Sequence, residues 1–197
     1  MFDILEISPS DLARYAAIPM TLEVRTIFGI RLPENGLGGI GLVETAVTPY
    51  VKNYDEFGGP LSWPDEFDVS RWGFFLAVHN GGQALGGAAV AWNTNGVNML
   101  EGRSDLSVLW DIRIHPEWRK QGFGRVLFAQ AAQWSRQRDC ARMKIETQNI
   151  NVPACRFYAA QGCQLGDIRR FAYQDEPAVA HEVQLNWYFN LLDKHLI

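Results

Sequence analysis

The chain lacks any apolar run near the ~20 residues that a membrane-crossing helix needs; its apolar stretches are of strand length. Its start, Met1-Phe2-Asp3-Ile4-Leu5-Glu6, carries acids where a secretory leader carries bases. Cysteine is scarce: Cys140, Cys155 and Cys163 are an odd number with no CxxC pair, a pattern that suits neither a zinc ribbon nor a disulfide framework. Such thiols are expected to be reduced, small core residues of a cytoplasmic protein. An excess of one charge is also missing: the net charge of -4 gives no general reason to expect nucleic acid or an anionic membrane as partner. With neither repeats nor low-complexity tracts, and 47% hydrophobic residues, residues 1–197 read as one domain with a sizeable core.

Strand patterns are clearest after residue 72. Gly73 to Val78 is a short, nearly continuous apolar strand, His79-Asn80-Gly81-Gly82 is a turn signal, and Ala84 to Trp92 is the returning strand. Leu106 to Ile114 is a strand that stops at His115-Pro116, and Met143 to Thr147 is another. Between them, Phe123, Val126, Leu127, Ala131 and Trp134 recur at helical spacing over Gly122 to Arg138. Asn151-Val152-Pro153 starts a second helix that ends before Gly162. Strands are expected at Phe2 to Ile7, Gln164 to Tyr173 and Glu182 to Tyr188, and a short helix capped by Ser10 runs to about Ala17. Phe28 to Pro64, crowded with glycine and proline, is either a binding surface or a meander, with a strand-like piece at Gly41 to Val47. The sum is an α/β arrangement, with residues 2–70 leading into a core at 72–190.

One turn carries chemistry. Gly122 and Gly124 open a long amphipathic helix directly after a strand, so unpaired N–H groups and the helix dipole form an anion cradle. Arg119, Lys120 and Arg125 add positive charge, and a pyrophosphate is the natural ligand. The alternative is a tight strand-to-helix turn with solvated charges. It is neither a Walker turn nor a three-glycine dinucleotide fingerprint.

Read with its neighbours, the turn becomes specific. Ile112-Arg113-Ile114 followed by Arg119-Lys120-Gln121-Gly122-Phe123-Gly124 resembles the signature of the GNAT N-acetyltransferases, and Asn151-x-x-Ala154-x-x-Phe157-Tyr158-x-x-x-Gly162 resembles that family's second segment. Glu146 to Cys155 and Glu182 to Tyr188 are similar to segments of streptothricin acetyltransferases, in which the acceptor is an amine of an antibiotic's β-lysine chain. The resemblance covers roughly residues 72 to 190. It implies a mixed, largely antiparallel sheet in which two central parallel strands splay apart, flanked by helices, with acetyl-CoA as co-substrate and no metal. Ile112, Arg113 and Ile114 would offer backbone groups to the pantetheine and acetyl carbonyl. Arg119 to Arg125 would hold the pyrophosphate. Asn151 would face the pantetheine, or cap its helix, or both.

Acetyl transfer needs a neutral amine, a donor for the tetrahedral oxyanion and an acid for the leaving thiolate. The resemblance makes Tyr158 the acid, with a half-buried helical tyrosine as the alternative. For the base, Glu101, Asp105, Asp111 and Glu146 all lie on or beside strands; Asp111 is favoured and Glu146 next, since a charge in an apolar strand is costly without a task. A salt bridge to Arg113 or Lys144 is the competing explanation. Tyr54, Asp55, Trp63, Trp72 and Trp110 are candidates to line an acceptor pocket for a cationic amine, with packing as the alternative. His79, His115, His181 and His195 lack metal spacing. A small-molecule amine is the expected acceptor, against a protein N-terminus or lysine, or a non-catalytic CoA sensor. The aromatic stretch Trp187-Tyr188-Phe189 suggests a homodimer by analogy.

Overall fold

The computed structural model describes residues 2–79 and 82–192. Along the chain run β1 (Phe2–Ile7), α1 (Leu12–Ala16), β2 (Thr21–Arg31), β3 (Gly41–Asn53), α2 (Trp63–Glu66), β4 (Gly73–His79), β5 (Ala84–Trp92), β6 (Leu106–Ile114), α3 (Phe123–Arg136), β7 (Arg142–Gln148), α4 (Val152–Ala160), β8 (Gln164–Arg169) and β9 (Gln184–Asn190). They fall into two compact units: one holds the chain up to Thr21, Asn53–Ile145 and the part from Tyr188, the other Leu22–Lys52 and Glu146–Trp187.

In the first unit β1, β4, β5, β6 and β7 are neighbours in that order. The first three ladders are antiparallel and β6–β7 is parallel, so the sheet is mixed and mostly antiparallel. Both faces are covered. A Cβ on Gly87 would lie 2.5 Å from the Tyr15 ring of α1, and one on Gly86, the next residue, 2.5 Å from Ile114 Cδ1 and 3.1 Å from Leu127 of α3. Successive strand residues point to opposite faces, so the two glycines let both layers approach β5. The α3 face that buries Leu127, Phe128, Ala131, Ala132 and Trp134 has the expected three-and-four spacing. Around α1, Tyr15, Trp63, Trp72 and Phe74 form an aromatic cluster within the core.

The second unit contains β7, β9 and β8 as neighbours and a separate two-stranded sheet of β2 and β3. Asn149, 5% exposed, ties these pieces together. Its Nδ2 donates to the Phe28 carbonyl at 3.0 Å, its Oδ1 accepts from Val183 N–H at 2.8 Å, and its backbone bonds the same two residues.

The expected bounds of β1, β5 and β6 coincide with the observed ones. Three readings need correction. The glycine-rich stretch holds the end of β2 and all of β3, which form a two-stranded ribbon, then a 3-10 turn at Tyr54–Phe57 and the start of α2; no strand was expected at Thr21–Arg31. The first helix starts at Leu12 with Asp11 at its cap, because Pro9–Asp11 forms a separate 3-10 turn. Strand β8 stops at Arg169, and residues 170–175 form turns. In β9, Trp187 and Phe189 are core, 7% and 1% exposed, and Tyr188 between them is half-buried. Asn80 and Gly81 of the expected turn, and His195, lie outside the described residues.

Candidate active site

The strand before the turn is irregular where the chemistry is expected. On its β5 side, β6 pairs Ala89 with Asp111 and Val90 with Leu109, so Trp110 is an extra residue and bulges the strand. On its β7 side β6 pairs in parallel from Leu106 with Arg142 to Leu109 with Ile145.

At the turn, Gly122 takes φ 91° as the N-cap of α3, and Lys120 takes φ 62°. Left-handed backbone is natural for glycine and strained for lysine, which is a mark of functional loops. The first bonds of the helix are from Arg125 and Val126 N–H to the Gly122 carbonyl, leaving the N–H groups of Phe123 and Gly124 at its start for an anion. Lys120 and Arg125 are exposed, as a solvent-side cation pair requires. Arg119 is partly committed elsewhere: its Nε donates to the Ile114 carbonyl at 3.2 Å and its Nη2 to the Thr21 carbonyl at 2.7 Å, and burial pulls its pKa down. Gln121 donates through its side chain to the Glu117 carbonyl. The donor set fits a pyrophosphate, with the helix N-terminus and Lys120 and Arg125 carrying the charge.

Three of the four candidate carboxylates are spent on ion pairs. Asp111 faces Arg113, with Nε to Oδ1 at 3.0 Å and Nη2 to Oδ2 at 2.7 Å, and also accepts the Tyr15 hydroxyl at 2.7 Å. Burial and the Asp111 charge push the Tyr15 phenol well up, so it stays a donor. Glu101 pairs with Lys144 at 2.7 Å and Asp105 with Arg103 at 2.8 Å. Asp111 thus has the structural partner that competed with a catalytic role.

Glu146 differs. Its Oε1 accepts the Tyr173 hydroxyl at 2.6 Å and a long 3.5 Å contact from Gln148 Nε2, and its Oε2 accepts the Gln184 side-chain amide. Every one of these donors is neutral. The sequence reading did not single out Tyr173 or Gln184, since a hydroxyl 27 positions along the chain leaves no spacing signal.

On α4, Asn151 is the N-cap and its side chain accepts Ala154 N–H at 3.1 Å, so the capping role is realised. Tyr158 is 6% exposed and packs edge-on against Phe157. Of the residues expected near an acceptor, Trp63 and Trp72 are buried in the aromatic cluster, and Trp110 packs on Phe67 and Trp72. Asp55 accepts from Arg113 Nη1 at 2.8 Å and from Met20 N–H at 2.9 Å. Tyr54 is half-buried, with its N–H on the Met20 carbonyl. Packing and hydrogen bonding thus account for the three tryptophans and Asp55. Among the described residues, no three His, Cys, Asp or Glu side chains are grouped to hold a metal, and no helix is long and apolar enough to cross a membrane.

Comparison with known proteins bears on the family and the fold. Streptothricin acetyltransferase A of Bacillus subtilis is 27% identical over 165 residues, 83% of this chain and 87% of that protein. The crystal structure of nourseothricin acetyltransferase superposes with a TM-score of 0.75 at 23% identity, covering 96% of this chain and 98% of that one. A Bacillus anthracis protein solved with acetyl coenzyme A gives 0.72 at 24% identity, covering 96% and 97%. The model of the acetyltransferase (GNAT) family matches residues 42–163, more than half of the chain. This chain therefore belongs to the acetyltransferase (GNAT) family and is an acetyl-CoA-dependent N-acetyltransferase.

Proposed function

We propose that the chain transfers the acetyl group of acetyl-CoA to a primary amine of a small molecule of the streptothricin type, with Glu146 as the carboxylate that receives the amine. The observation that carries this reading is the contrast among the acids: Asp111, Glu101 and Asp105 are paired with arginine or lysine, whereas Glu146 accepts hydrogen bonds from neutral groups alone. The likeness to streptothricin acetyltransferase A supports the acceptor class.

In the reaction the amine nitrogen attacks the thioester carbonyl, a C–N bond forms, the C–S bond breaks and the nitrogen loses a proton. Glu146 takes one proton from the bound ammonium, directly or through a water, so that the neutral amine attacks; the second proton leaves the nitrogen as the tetrahedral adduct collapses and balances the one delivered to the thiolate. Tyr158 is assigned the proton returned to the CoA thiolate, a transfer between groups of similar ordinary pKa. The backbone at the end of β6 orients the thioester, and the α3 N-terminus with Lys120 and Arg125 holds the pyrophosphate.

The reading is tested with a panel of primary amines, streptothricin among them, presented with acetyl-CoA to the wild type and to Glu146→Gln and Tyr158→Phe. Both variants should lose about 100-fold or more in turnover while binding acetyl-CoA as the wild type does. Retained turnover in either removes that residue from its role. Preferred acetylation of a peptide N-terminus or lysine would replace the small-molecule acceptor.

A further inference from the structure

The Glu146 carboxylate is gripped from both ends. Tyr173, in the turns that follow β8, donates its hydroxyl to Oε1, and Gln184, at the start of β9, donates its amide to Oε2. Gln148 Nε2 also donates to the Tyr173 oxygen at 3.1 Å, so the phenol is itself held in place. With both oxygens tied, the plane of the carboxylate is set, and none of the donors carries a charge to offset it. Gln184 adds a second feature: the residue is 6% exposed, and its Oε1 is buried with no donor among the described residues. Turning the amide over would put that oxygen against the carboxylate, so the acceptor is left unpaired beside a negative group. A buried acceptor without a donor is costly, and next to a carboxylate the matching donor is a cation.

We propose that Tyr173 and Gln184 are positioning residues that clamp Glu146 into a recognition site for a protonated amine. The site selects cationic acceptors over neutral ones of similar size. Tyr173 stays protonated and donating, since burial and the neighbouring Glu146 raise its pKa far above the ordinary phenol value. The proposal rests on the acetyl-transfer reading and names how its acceptor is recognised.

The test is Tyr173→Phe, which keeps the ring and removes the hydroxyl, with Gln184→Met as a second variant. Acetylation of streptothricin is followed alongside acetylation of a weakly basic aromatic amine that is neutral at the assay pH, and streptothricin binding is measured by calorimetry. The expected result is a rise of about 10-fold in KM for the cationic amine, in line with the loss of a hydrogen bond to a charged group. The KM for acetyl-CoA and for the neutral amine should not change. Equal losses for both amines and for acetyl-CoA would assign the two residues a merely structural role and overturn the proposal, as would wild-type kinetics in both variants. The two readings fail separately. Streptothricin binding that the variants weaken, without any turnover in the wild type, sinks acetyl transfer and keeps the clamp; turnover and binding indifferent to both variants sink the clamp and keep acetyl transfer.

Discussion

Asp111 and Arg113, two positions apart on β6, face the same side of the sheet and close a two-point ion pair, with contacts of 3.0 and 2.7 Å. Burial works against the Arg113 charge, but the Asp111 carboxylate outweighs it and holds the guanidinium above its ordinary pKa. Arg113 also donates to the Ile18 carbonyl at 2.9 Å and to Asp55, so one buried cation fastens the end of α1 and the loop after β3. Removing Asp111 takes the two-point partner from buried Arg113 and leaves it the single contact with the half-buried Asp55. Asp111→Asn should therefore cost about 3–5 kcal/mol in urea unfolding, while the folded fraction keeps its turnover. A turnover loss with unaltered stability would return Asp111 to the catalytic role.

The phosphate turn gives a second prediction. A carboxylate placed by Gly124→Glu would sit in the first turn of α3, where the cradle expects an anion. Acetyl-CoA affinity in calorimetry should fall about 10-fold or more, through repulsion and steric block together. Unchanged affinity would mean that the pyrophosphate binds elsewhere.

Asn149 predicts a local stability loss. Asn149→Ala strips a donor from the Phe28 carbonyl and an acceptor from Val183 N–H in a site only 5% exposed. The expected cost is about 2–4 kcal/mol, with amide exchange accelerated first in β2 and at the start of β9. Uniform exchange across the chain would show that Asn149 is not the tie within its unit.

The thiols give a pH dependence. Burial pushes Cys155 and Cys163 up to about 12 and Cys140 to about 11, from an ordinary value of 9.0. The folded chain thus keeps these protons while the unfolded chain releases them. Their contribution is complete below pH 9 and is lost as pH rises through the folded values near 11 to 12. Compared with a variant carrying alanine at all three sites, the wild type should lose stability more steeply above pH 9, by about 1.4 kcal/mol per pH unit for each thiol. Parallel curves would mean that the thiols are accessible.

What could be read in advance followed from local rules. Strand β6 was legible because its apolar run ends at His115-Pro116, and α3 because glycines precede a three-and-four pattern. Strand β2 was readable but missed: Leu22, Val24 and Thr26 alternate with Glu23 and Arg25 until Ile27-Phe28 breaks the period. The strand-like piece expected at Gly41 to Val47 runs on through Pro49 to Asn53, since a proline is tolerated in a ribbon with a single partner. The carboxylates were not separable by spacing. Lys144 stands two positions from Glu146 just as Arg113 does from Asp111, and only the fold gives Lys144 to Glu101 instead. Tyr173 was hidden for the same reason, since its contact with Glu146 is made by a turn rather than a period.

The central claim is acetyl transfer to a cationic small-molecule amine, and mass spectrometry of streptothricin incubated with acetyl-CoA and the wild-type chain tests it most directly. A singly acetylated product should form together with one equivalent of free CoA thiol, and should disappear with Glu146→Gln. No acetylation of streptothricin or of any other primary amine, by a chain that binds acetyl-CoA, would contradict it.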